Sequence, residues 1–209
     1  VIRGQDGPRV RVMSNGLGTN DGSQNSPDHA SISVPLNAER IEILRGPATL
    51  LYGSGAIGGV VNVIDNRIPE KVPDQLVGGS IEQKYNTVSN NHQTAFKVEG
   101  GKSKLAYHFD GYFQKNDDLE VAGDAIDVTR ANVSQPSLDI GDNTSGFVKN
   151  TEADNLSLTA GGSFVGDSGF FGFSANVVDM EYQIPVRGEV GGEESNIEME
   201  QTKVDFKGG

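Results

Sequence analysis

Few residues of this 209-residue chain have types and spacing that chemistry could use, and Asp28-His29 is the sharpest candidate. A carboxylate oxygen beside a neutral imidazole nitrogen offers two of the ligand types that zinc accepts. Two ligands are not a site, because tetrahedral zinc takes four, and on residue type alone such a pair in a loop is more often simply solvated. His92, next to Asn90-Asn91, and His108 are the other two histidines; neither has a second ligand at helix or hairpin spacing, and both read as structural. Gly53-Ser54-Gly55-Ala56-Ile57-Gly58 fits the pattern G-x-G-x-x-G. Dinucleotide binding, however, needs a strand before those glycines and a helix after them, so that pyrophosphate meets a helix N-terminus. Here the order is reversed, and no Lys-Ser or Lys-Thr follows to make a phosphate loop. With no cysteine nucleophile, no G-x-S-x-G elbow and no histidine with an evident serine and acid partner, the chain does not read as an enzyme.

The elements that would position these residues centre on Glu39 to Asp65. Arg40 to Arg45 alternates polar with apolar residues, which predicts a half-buried strand with Ile41 and Ile43 on its inner face. Gly46-Pro47 ends it, Ala48 to Tyr52 is one short helical turn stopped by Gly53, and the β-branched Gly58 to Ile64 is a second strand. Upstream, Val1-Ile2-Arg3 and Val10 to Met13 predict two short strands joined by a Gly4 to Pro8 turn. Asn15 to Ser33 is a long polar loop that carries Asp28 and His29, and Pro69 and Pro73 mark a linker.

The order strand, Arg-Gly-Pro, short helix, Tyr-Gly, small-residue loop, Gly-Gly-Val-Val-Asn and strand closely resembles the end of the plug domain of TonB-dependent outer-membrane receptors. Gly4 to Val12 and Ser26-Pro27-Asp28-His29-Ala30 extend the resemblance, the latter looking most like the zinc-uptake branch of that family. The likeness is strong to about Pro73 and beyond it rests on strand pattern alone. It implies a transport receptor in the outer membrane of a Gram-negative bacterium, with cargo at the outer apex of the plug. Zinc ion is the expected cargo and Asp28 and His29 are its expected ligands, the remaining ligands coming from the barrel. An iron-siderophore or other organic cargo is the alternative. The implied partners are outer-membrane lipid and the periplasmic TonB energy-transducing complex, which engages an N-terminal box; no resident cofactor is implied.

After Gln75 the pattern becomes dyadic. Leu105, Tyr107, Phe109 and Phe113 oppose His108, Asp110 and Gln114; Leu156, Leu158, Ala160 and Phe164 oppose Ser157, Thr159 and Ser163; Phe171, Phe173, Ala175 and Val177 oppose Ser174 and Asn176. In a secreted β-sandwich binding module the apolar face would meet a second sheet, whereas in an outer-membrane barrel it meets lipid. Connections favour the barrel, because Gly100 to Ser103 and Gly166 to Ser168 are tight while Asp117 to Asp154 and Gln183 to Glu198 are long and acidic. The fold class is therefore mainly β, an α+β plug (residues 1–73) followed by the first antiparallel transmembrane strands of a barrel (residues 74–209). The chain opens inside a strand and stops after Val204-Asp205-Phe206, which predicts an internal fragment.

Composition agrees with this reading. The 28 glycines, no tryptophan and 35 % apolar residues are unlike a helical or α/β enzyme. A net charge of −12 argues against nucleic-acid partners. Through Pro73 seven basic residues balance seven acidic ones, so the excess lies in the barrel region. The Asp117 to Asp154 stretch is either a solvated outer loop or a collector of cations. Arg40, Glu42 and Arg45 either form a solvated face or pair with wall charges such as Lys97 or Glu99.

Overall fold

The computed structural model describes residues 2, 4–5, 9–18, 38–134, 143–185 and 194–209. A four-stranded sheet is built from β1 (Val10–Ser14), β2 (Leu17–Gly18), β3 (Arg40–Leu44) and β4 (Gly59–Ile64), in the order β2-β1-β4-β3. β1 runs parallel to β4, with Val10 opposite Gly59 and Ser14 opposite Val63, while β3 pairs antiparallel to β4. The expected Val1 to Arg3 strand is not present at Ile2, which instead bridges Gln5 across a tight turn.

Between β3 and β4 the chain makes two 3-10 helices, Pro47–Tyr52 and Ser54–Ala56. Pro47 opens the first, as its fixed φ allows, and Gly53 closes it at φ 91°, a conformation that favours glycine. These helices cover one face of the sheet, where Met13, Ala56 and Val60 are buried and Leu44 and Tyr52 pack against them. The expectation that Ile41 and Ile43 point inward is therefore corrected. The alternation holds, but the helices lie over the Leu44 and Val60 face, leaving Ile41 and Ile43 49 % and 53 % exposed on the other.

Residues 65–77 lead to six long strands: β5 (Gly78–Asn86), β6 (Asn91–Lys102), β7 (Leu105–Asn116), β10 (Ala153–Val165), β11 (Phe170–Ile184) and β12 (Ser195–Gly208). Each is antiparallel to its neighbours in the order β12-β11-β10-β7-β6-β5, a continuous meander. The connection between β7 and β10 is not bare loop. It holds β8 (Leu119–Asp124), α1 (Val128–Ser134) and β9 (Ser145–Val148), with β8 and β9 paired as a hairpin. The β6–β7 and β10–β11 turns fall at one end of the sheet, and the long β7–β10 and β11–β12 connections fall at the other, together with the tight β5–β6 turn.

The two faces of this wall differ as the dyad requires. His108, Asp110, Ser157, Thr159, Ser163, Ser174 and Asn176 are buried on the face toward the end of the plug. Leu105, Phe109, Phe113, Leu158, Phe164, Phe171, Phe173, Val177, Val204 and Phe206 stand exposed on the other. Cross-strand ring pairs, Phe96 with Phe113 and Phe171 with Phe206, continue the outer band from strand to strand. Leu105 to Phe113 spans nine residues, close to the 9–11 that a tilted transmembrane strand needs. No second sheet covers these side chains among the described residues. Among the described residues no helix is long and apolar enough to cross a membrane; the strands do so.

Placing a charge at Phe109, midway along the outer band, should therefore destabilise the intact protein in a bilayer. Phe109→Lys is expected to cost about 2–4 kcal/mol in reversible urea unfolding from lipid vesicles. A loss near zero would show that Phe109 does not face lipid.

Candidate functional site: the plug–wall junction

Sequence order brings the end of β4 directly to the inner face of the wall, and the densest group of charges among the described residues lies there. His108 and Asp110 are two apart on β7, so the strand's period of two puts both on the inner face, with Glu99 beside them on β6. His108 Nδ1 lies 2.9 Å from Glu99 Oε1, and its Nε2 lies 2.9 Å from Asp110 Oδ2. With a carboxylate on each side, the ring can donate from both nitrogens only as imidazolium. Arg67, just past β4, places its Nε 3.3 Å from Asp65 Oδ2 and 3.4 Å from Asp110 Oδ2. Its Nε is held between the two carboxylates electrostatically, without the alignment of a hydrogen bond to either, while the Arg67 backbone N–H donates to Asp65 Oδ1 at 3.2 Å. Asn66 donates to Glu99 Oε1 at 3.0 Å, and Lys97 sits 3.2 Å from Glu99 Oε2. Arg67, Lys97 and, when its ring is protonated, His108 thus face three carboxylates (Asp65, Glu99, Asp110), which suits a buried site where an unpaired charge is costly.

This junction decides between the two readings of the β3 charges and extends the reading of His108. Arg40 and Glu42 pair with each other at 2.8 Å, so the plug does not reach Lys97 or Glu99 through β3. It reaches them through Asp65, Asn66 and Arg67, one strand later. His108 is not a solitary structural histidine but the centre of the cluster; the legible signal was the His-x-Asp spacing on a strand, which must put both side chains on one face.

Asp28 and His29 lie outside the described residues. His92 is on the outer face of β6, its ring 4.6 Å from that of Tyr85. Among the described residues no three His, Asp or Glu side chains converge as a metal site. Several acids of the Asp117 to Asp154 connection have local tasks. Asp117 accepts from Asn90, Asp118 from the Thr151 backbone, Asp127 from the Arg130 backbone at the start of α1, and Asp154 from Lys115. Asp139 and Asp142 lie outside the described residues. The G-x-G-x-x-G run stands between a 3-10 helix and β4, the reverse of the dinucleotide arrangement.

A small mixed sheet seated by its last residues on the inner face of a lipid-facing antiparallel meander defines the class, a plugged outer-membrane β-barrel of which this chain carries a part. Residues 1–60 match the TonB-dependent Receptor Plug Domain. The probable TonB-dependent siderophore receptor PirA of Acinetobacter baumannii is 34 % identical over 93 residues, 42 % of this chain and 12 % of that protein. The vitamin B12 transporter BtuB of Photobacterium profundum is 38 % identical over 85 residues, 40 % of this chain and 14 % of that one. The crystal structure of a mutant of the ferric enterobactin receptor PfeA of Pseudomonas aeruginosa covers 97 % of this chain, and 31 % of its own, at a TM-score of 0.57 and 18 % identity, a likeness of fold. These findings make residues 1–60 similar to the plug of TonB-dependent receptors, and the chain spans 12 % and 14 % of the length of the two curated relatives. The relatives are named as receptors and transporters, not enzymes. The zinc-uptake branch finds no support among them.

The charge balance at the junction makes a direct prediction. Asp110→Ala leaves Arg67 and His108 each short of a carboxylate and should lower the unfolding free energy of the intact receptor by about 3–5 kcal/mol. Adding Arg67→Met should return part of that loss, and a double-mutant cycle from urea unfolding measures the coupling. Single and double variants that unfold like wild type would show that the pair contributes nothing.

Proposed function

We propose that the intact protein is a TonB-dependent outer-membrane receptor for active uptake of a scarce nutrient, and that its cargo is a metal chelate of the siderophore type. The observation that carries this reading is the continuous path from plug sheet to lipid-facing wall, with the plug end held on the wall's inner face by Asn66 and Arg67. A plug so placed closes the barrel, and passage needs work supplied from outside the outer membrane. The periplasmic TonB complex is the partner for that work. The class of cargo follows the relatives' names, one a siderophore receptor and the other a vitamin B12 transporter. The role is transport rather than catalysis.

A second reading, uptake of zinc ion itself, rests on Ser26-Pro27-Asp28-His29-Ala30 and its likeness to the zinc branch. In that reading Asp28 and His29 coordinate the cargo at the plug apex, with further ligands from the barrel.

Uptake in cells that express the intact receptor separates the two. Under the chelate reading, the receptor restores growth on a ferric siderophore as the sole iron source, only when TonB is present, and Asp28→Ala and His29→Ala leave zinc-limited growth unchanged. Under the zinc reading, both variants lose zinc-limited growth. Uptake that persists without TonB would sink both.

A further inference from the structure

We propose that residues 65–76 are a fixed strap of the barrel wall rather than the tail of the plug, and that the plug separates from it at the Ile64–Asp65 boundary. This inference rests on the transport reading above and moves the mechanical boundary upstream from Pro73.

The strap crosses the inner face of the wall almost strand by strand. Asn66 and Arg67 engage Glu99 on β6 and Asp110 on β7. Ser163 Oγ on β10 donates to the carbonyl of Pro69, and Pro69 is fully buried. Glu70 pairs with Lys207 on β12 at 2.6 Å. The chain then returns, the carbonyl of Gln75 accepting from Gly101 N and that of Leu76 from Tyr107 Oη. The wall is also shaped for it. A Cβ at Gly161 would overlap the Arg67 carbonyl oxygen, one at Gly172 would stand 2.6 Å from Ile68 Cγ2, and one at Gly101 2.8 Å from Val72 Cγ1. Glycines on three strands thus let the strap's backbone lie directly against the wall.

The seam on the plug side is slighter. Asn15, at the end of β1, donates to Asp65 Oδ1 at 2.8 Å and accepts from Asp65 N at 3.1 Å, an exposed pair. The links to the wall described above all leave from residues 66–76, and the four-stranded sheet contributes none of them. Among the described residues, force applied to the plug therefore meets these two hydrogen bonds before it meets the buried, shape-matched strap.

Engineered disulfides in the full-length receptor test this, the described chain having no cysteine of its own. Ile68→Cys with Gly172→Cys joins strap to wall where a Cβ at Gly172 would stand 2.6 Å from Ile68 Cγ2. Asn15→Cys with Asp65→Cys joins plug to strap. The expected result is TonB-dependent uptake unchanged by oxidation in the first pair, and loss of uptake in the second that a reductant restores. Uptake blocked by the first disulfide, or unaffected by the second, overturns the proposal. Where a double variant fails to transport even when reduced, maleimide labelling of single variants in energised cells decides the same question. Cargo should accelerate labelling of Asn15→Cys and leave Ile68→Cys protected; acceleration at Ile68→Cys overturns the strap. Absence of TonB-dependent uptake in the wild type would instead count against the transport reading.

Discussion

Everything in this molecule follows from the wall having two solvents. A strand that crosses a bilayer must satisfy every backbone N–H and C=O within the sheet, so β5, β6, β7, β10, β11 and β12 pair in unbroken antiparallel succession. Its side chains then have no choice of face. One slip of register would carry Phe109 inward and Asp110 into lipid, so the period of two fixes pairing far more strictly than local propensity does. Aromatic and aliphatic residues accumulate outward, while hydroxyls, amides and the charged junction accumulate inward.

That constraint is why so much of the wall was legible. The alternation around Leu105 to Phe113 and Phe171 to Val177 has one physical meaning once both long connections fall at the same end of the wall, and the structure places those side chains as the alternation requires. The plug was legible for another reason: Gly46-Pro47 and Gly53 punctuate it so sharply that strand, helical turn and strand fall out in order. Which face of β3 would be covered was not legible, because Ile41 and Leu44 are equally apolar and only the three-dimensional path of the 3-10 helices decides between them. Nor was the β8–β9 hairpin, whose polar strands carry little hydrophobic period.

The junction was half legible. Glu99, His108 and Asp110 could be placed on one face by counting, but the partner that gives them meaning, Arg67, lies in a proline-marked stretch that reads as linker. Gly100 and Gly101 misled in the same way. They read as a turn, yet β6 continues through Lys102 and the turn comes at Ser103, with φ 58°. Their small size serves a neighbour rather than a bend, since Val72 and Pro73 lie against Gly101 and the Leu76 carbonyl lies against Gly100. Glycine has two uses, conformational freedom and lack of bulk, and sequence alone does not say which is in play.

A backbone threaded across the inside of the wall, from β6 and β7 to β12 and back, also constrains biogenesis. Its seat is too close to the strands to be entered sideways once a cylinder has closed, because the carbonyls of Arg67 and Pro69 are already within touching distance of β10. The segment precedes every wall strand it touches in the chain, and it has to be in its seat before the sheet curls closed around it.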